Sequence, residues 1–164
     1  MAIDPYSHFK KIISSLDDSG VKFSVVGGIA LGFYGIVRAT KDIDLMILSE
    51  DSEKAIKALN VLGYRQFDST MSFEEGRVVI ERLTYGEEYE EDGEKRMSFL
   101  KVDLLIAKDE PYLSVLSERR PFEYEGRRIY VASRKGLIQL KKLRGSEMDL
   151  LDIKHLSEAK DEGN

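Results

Sequence analysis

No cysteine occurs among the 164 residues, so the chain has no disulfide framework, no thiolate nucleophile and no cysteine zinc site. Histidine is nearly as scarce. His8 and His155 stand far apart, each in a stretch with helical spacing, where a surface or helix-end role is the simpler reading. No apolar run approaches the ~18 residues of a membrane span, and Met1 to Asp4 carry no leader pattern, so the expectation is a cytoplasmic protein with no membrane partner. Excess positive charge is missing too: a formal net charge of −5 argues against an extended nucleic-acid surface. What is present, 42% hydrophobic and 34% charged residues, suits a single soluble domain with a real core.

The charge is unevenly spread. Residues 74–94 hold nine acids against two basic residues, and residues 119–144 hold nine basic residues against two acids. The acidic segment 86–94 reads as a solvated hairpin loop or flap between two strands. For the basic segment two readings stand: it receives a triphosphate or an RNA end, or it pairs with acids across the surface.

The stretch from Val25 to Ile47 carries the chemistry. Residues 23–26 read as a short buried strand and 29–34 as a helical turn, so Gly27 and Gly28 fall at the junction between them. Glycine there permits unusual dihedrals and close backbone approach, and the amides that open a helix face outward, ready for phosphate oxygens. Arg38, Thr40 and Lys41 follow, and then Asp42-Ile43-Asp44 opens an apolar strand. Side chains alternate along a strand, so Asp42, Asp44 and Met46 share one face while Ile43, Leu45 and Ile47 share the other. Two carboxylates side by side repel unless a cation lies between them. Hard oxygen ligands with few protein atoms around them suit Mg²⁺, with Mn²⁺ as a substitute, and leave room for substrate phosphates.

A third carboxylate lies in the apolar strand of residues 99–106, where Asp103 interrupts Val102, Leu104 and Ile106. An ionised group there is costly unless paired, hydrated or metal-bound, and the metal site is the favoured reading over a salt bridge. Asp109 is the nearest competitor, but it precedes Glu110-Pro111 at a helix start, where capping alone explains it.

The remaining chain divides without repeats or linkers. Helices are predicted over 6–16, 50–62, 110–117, 133–143 and 146–159, with Ser49, Ser133 and Ser146 as caps, and strands over 77–85, 95–107 and 127–131, with a short one within 65–73. The irregular mixture indicates an α+β fold, a mixed sheet flanked by helices. Residues 1–132 form the expected core, and residues 133–164 a C-terminal helical extension packed on it.

Gly27-Gly28, the Asp42-x-Asp44 pair and the later Asp103 together resemble the nucleotidyltransferase superfamily of DNA polymerase beta, the tRNA CCA-adding enzymes and the minimal nucleotidyltransferases. The pattern Gly-Gly-x-Ala-x-x-x-Tyr-Gly-x-x-Arg-x-Thr-x-Asp-Ile-Asp-Leu is most similar to the prokaryotic branch related to AbiEii toxins, and residues 137–143 and 149–153 weakly resemble that branch's last helices. Two departures stand out. Gly28 takes the place of a common Ser, and Ser146 that of a basic residue for which Arg144 is the candidate substitute. The resemblance implies two-metal transfer of a nucleoside monophosphate from a nucleoside triphosphate to a hydroxyl acceptor, with pyrophosphate leaving. It implies that Asp42, Asp44 and Asp103 bind Mg²⁺ and act catalytically. Gly27 and Gly28 contact the β and γ phosphates, Arg38 or Lys41 neutralises charge on the leaving group, and Thr40 either donates to phosphate or caps the strand. Tyr34 either stacks on a base or, the favoured reading, belongs to the core. The acceptor stays open between an RNA end, a protein hydroxyl and a small molecule such as an antibiotic or metabolite. Two rivals remain: a silent nucleotide- or partner-binding relative, and a metal-dependent phosphodiesterase using water.

Overall fold

The computed structural model describes residues 2–158. Its centre is a seven-stranded mixed sheet in the order β3-β4-β5-β2-β1-β7-β6. The strands are β1 (Phe23–Val26), β2 (Asp42–Leu48), β3 (Met71–Phe73), β4 (Val78–Glu91), β5 (Glu94–Ala107), β6 (Arg120–Tyr124) and β7 (Arg127–Val131). The helices are α1 (Pro5–Asp18), α2 (Gly27–Gly32), α3 (Ser52–Val61), α4 (Tyr112–Ser117), α5 (Arg134–Arg144) and α6 (Glu147–Glu158). Residue 159 and the end of the predicted extension lie outside the described residues.

The apolar runs explain the layering. β1 is buried along its length, and Ile43, Leu45, Ile47, Val102 and Leu104 are fully buried beside it. The back of the sheet meets α1: Ile3 N–H donates to Ser98 Oγ at 3.0 Å, and His8 Nδ1 lies 2.9 Å from the Tyr64 hydroxyl beside Tyr85. Both Ser98 and Tyr85 face away from Asp103 by strand alternation. That face is closed, which leaves the Asp103 face for chemistry.

The acidic segment is not a loop. β4 runs through Glu91 and β5 starts at Glu94, leaving only Asp92-Gly93 as the turn. Both turn residues have positive φ, 52° and 77°, the geometry of a tight primed turn that Asp-Gly favours. Cross-strand pairs offset the negative charge, Lys95 with Glu88 at 3.7 Å and Arg96 with Glu91 at 3.5 Å. β6 was not legible either; it pairs with β7 across a second two-residue turn, Glu125-Gly126.

The basic segment pairs with acids that lie outside residues 74–94. Arg127 meets Asp17 at 3.0 Å, Arg128 meets Glu123 at 3.3 Å, and Lys141 meets Asp152 at 2.9 Å. α5 and α6 join the main core through Leu137 and Leu156, so they are packed against it. Ser133 caps α5 by accepting from Gly136 N–H at 3.0 Å. Ser146 and Asp149 cap α6 reciprocally, Asp149 N–H to Ser146 Oγ and Ser146 N–H to Asp149 Oδ2, each at 3.1 Å.

Candidate active site

Strand register assembles the acids. Val26 pairs with Asp44 across β1 and β2, Asp44 with Asp103 across β2 and β5, and Asp103 with Arg82 across β5 and β4. Partners in one row share a face, so Asp44, Asp103 and Arg82 project together. Asp42 sits two residues earlier on that face, opposite Lys101. It influences the charge of both Asp44 and Arg82.

Each carboxylate has a distinct setting. Asp103 is buried and takes two hydrogen bonds from Arg82, Nε to Oδ1 at 2.7 Å and Nη2 to Oδ2 at 2.8 Å. That bond strengthens the Arg82 guanidinium's hold on its proton. Arg82 is the residue that sequence reasoning missed, since an arginine within a strand carries no motif. Asp44 takes no such pair of bonds from any described residue. Burial, then the charges of Asp103 and Asp42, push its carboxyl up to about 7 from an ordinary 3.8.

Gly27 makes room for Asp44. Its φ is +70°, and a β-carbon there would stand 2.1 Å from Asp44 Oδ2, so any side chain would collide with the carboxylate. At Gly28 a β-carbon would stand 3.1 Å from Thr40 Oγ1. A side chain at residue 28 would therefore press on Thr40. The Thr40 hydroxyl donates to the Asp42 carbonyl at 2.9 Å, so it caps the start of β2. α2 begins at Gly27 and spans only six residues, which leaves little dipole and assigns any anion binding to the local amides.

The C-terminal helices supply the surrounding charge. Asp149 is fully buried and takes two bonds from Arg144, Nε to Oδ2 and Nη2 to Oδ1, both at 2.8 Å, with Lys141 Nζ at 3.6 Å. Burial alone would raise the Asp149 carboxyl, but the bonds from Arg144 and Ser146 hold it well below the carboxylate range. Arg144 is thus the basic residue bonded to the first acid of the Asp149–Asp152 pair. Arg38 pairs with Asp152, which also accepts from Lys141 at 2.9 Å, so Arg38 ties the loop before β2 to α6. Lys41 is exposed nearby. Tyr34 donates to the Ala132 carbonyl at 2.7 Å and packs on Phe122, a core role.

A cavity of about 560 Å³ opens at this place. Gly27, Asp44, Asp103, Arg82, Lys141 and Arg144 line it together with aliphatic and aromatic side chains and one further acid, Glu74. Among the described residues, no three His, Cys, Asp or Glu side chains stand close enough to form a ready-made metal cage. The donor set nevertheless suits a hard cation. Unneutralised repulsion centred on Asp44 is relieved by a divalent ion, and a carboxylate bonded to arginine retains lone pairs for another ligand.

One stability consequence follows from Asp44. Its folded pKa lies above the unfolded value, so the folded state holds more protons between about pH 4 and pH 7, and stability falls as pH rises through that window. In chelator, Asp44→Asn should lack this loss and be more stable than the parent at pH 8, by about 2 kcal/mol once partial solvent access is allowed for. Urea unfolding at pH 5 and pH 8 measures the difference.

No known family model matches the chain as a sequence, and no curated protein does. Solved structures do match. The lincosamide antibiotic adenylyltransferase LnuA, bound to lincomycin, superposes with a TM-score of 0.60 at 15% identity, over 98% of this chain and 100% of that one. TM1012 of Thermotoga maritima, a proposed nucleotidyltransferase, gives 0.60 at 20% identity, over 96% of each chain. The antibiotic-resistance factor ANT(2'')-Ia gives 0.56 at 14% identity, over 90% of this chain and 80% of that one. The fold is thus that of nucleotidyltransferase structures.

Proposed function

We propose that the protein transfers a nucleoside monophosphate from a nucleoside triphosphate to a hydroxyl acceptor, within the superfamily branch related to AbiEii that the motif over residues 27–45 favours. The observation that carries this reading is the in-register pair Asp44 and Asp103, set beside Gly27, whose missing side chain keeps the Asp44 carboxylate open. Asp42, Asp44 and Asp103 would hold two Mg²⁺ ions, which supply Lewis-acid charge at the triphosphate and at the attacking hydroxyl.

The chain's own residues do the rest. The Gly27 and Gly28 backbone N–H groups receive the β and γ phosphate oxygens. Lys141 and Arg144 line the same cavity and bring positive charge to it, and the exposed Lys41 precedes Asp42 in the chain. The acceptor oxygen bonds to the α-phosphorus as the bond to the bridging oxygen breaks; that electron pair leaves with pyrophosphate. The hydroxyl proton passes to the Asp103 carboxylate and on to water. Arg82 orients Asp103 for this task through its two bonds.

Calorimetric titration with an α,β-methylene triphosphate tests the reading. Binding should need Mg²⁺ or Mn²⁺ and raise the melting temperature, because a native-state ligand at ~100 times its Kd adds about 2.7 kcal/mol. Asp44→Asn should abolish the metal-dependent shift. Binding that ignores both the ion and Asp44 would contradict it.

A further inference from the structure

Along the active-site face of β3, β4 and β5 the character of the surface changes within one row. Two residues beyond the Asp103–Arg82 row, Leu105, Ile80 and Met71 lie side by side in register, and the next row places Val78 opposite Phe73. At about 3.3 Å per residue, the apolar floor starts only about 7 Å from the carboxylate of Asp103. Tyr112 of α4, Leu140 of α5 and the acid Glu74 also line the cavity, which is continuous with the Asp103–Arg82 row.

We propose that this apolar half is the acceptor subsite and that it takes a small uncharged molecule carrying its hydroxyl on a hydrophobic body. The inference rests on the transfer reading above and deepens it. In-line displacement puts nucleophile and leaving group on opposite sides of the phosphorus. Gly27, on the pyrophosphate side, adjoins Asp44 from β1, and the apolar floor lies beyond Asp103 on the other flank. The acceptor therefore approaches over Leu105 and Ile80. Charge disfavours a polynucleotide there, because the acid Glu74 follows Phe73 in the same lining and the rows of Leu105, Ile80 and Met71 and of Val78 and Phe73 hold no basic residue. No cation of those rows is there to follow a phosphate backbone, whereas a hydrophobic body of the acceptor gains from leaving water.

The test uses 2-(2-naphthyl)ethanol as probe on the full chain, followed by saturation-transfer NMR and a binding titration. The probe should bind the parent, bind Leu105→Gln at least tenfold more weakly, and bind Val61→Ser, altered on the exposed side of α3, as tightly as the parent. Each variant is first checked for a parent-like unfolding transition, and Met71→Gln replaces Leu105→Gln if that variant is unfolded. No probe binding, or equal binding by the cavity variant, overturns the proposal. Displacement of the probe by free nucleosides overturns it in favour of a nucleobase site. With α-labelled triphosphates, label on an oligoribonucleotide 3′ end overturns the subsite and keeps the transfer reading. Probe binding with no transfer to any acceptor overturns the acceptor assignment because the transfer reading itself has failed.

Discussion

Asp103→Asn should lower turnover by about a thousandfold or more while leaving most of the triphosphate affinity in place. In the proposed reaction Asp103 serves the acceptor, while Gly27, which follows Val26, lies across Asp44 from it. An asparagine keeps the shape but loses the negative charge that binds a cation and accepts the proton, and single-residue losses of that kind in catalytic units cost roughly 10³ or more. Arg82 also keeps at most one of its two bonds, to the asparagine oxygen, and loses the carboxylate that neutralises it. Single-turnover rates and calorimetric affinities, measured on the same preparation, separate the two effects. Equal losses in both would make Asp103 a structural residue.

Asp149→Ala should be the most destabilising single change in the molecule's charged network. The carboxylate is fully buried and holds Arg144 by two bonds and Ser146 by two more, with Lys141 beside it. Removing one partner of a buried ion network leaves uncompensated charge, at a cost of about 3–5 kcal/mol. For a domain of this size that is a fall in melting temperature of about 10 °C. The same group sets an acid limit. Its folded pKa is depressed below the ordinary 3.8, so its stabilisation is present above about pH 4 and is lost as pH falls below that value. Thermal unfolding at pH 7 and pH 3 should show the variant's deficit shrinking in acid. A deficit that is independent of pH would assign it to lost packing.

The placement of the acids is legible in part because its constraints are local, although Asp103 takes Arg82 as its partner, the salt bridge that its sequence setting made the less favoured reading. Strand alternation placed Asp42 and Asp44 on one face, and the desolvation cost of a lone acid singled out Asp103, two arguments that need no tertiary information. Register then set Asp44 beside Asp103. The arginines were harder. Arg38 looked available for phosphate, but its partner Asp152 lies more than a hundred residues away on α6, and nothing in the spacing of either residue announces the pairing. Arg82 was hidden for the same reason, as cross-strand contacts depend on register that sequence does not display. The acidic arm reads as a loop from its charge alone, whereas Asp92-Gly93 marks the tight hairpin that the structure holds. The cavity's apolar half was equally invisible, since it arises where three strands and two helices meet.

The most direct measurement incubates the protein with each of the four α-labelled nucleoside triphosphates, Mg²⁺ and a cell extract, and follows pyrophosphate together with label on any acceptor. The account predicts pyrophosphate released in step with labelled acceptor, dependent on the ion and lost in Asp103→Asn. Triphosphate binding without label transfer, or release of inorganic phosphate in place of pyrophosphate, would contradict it.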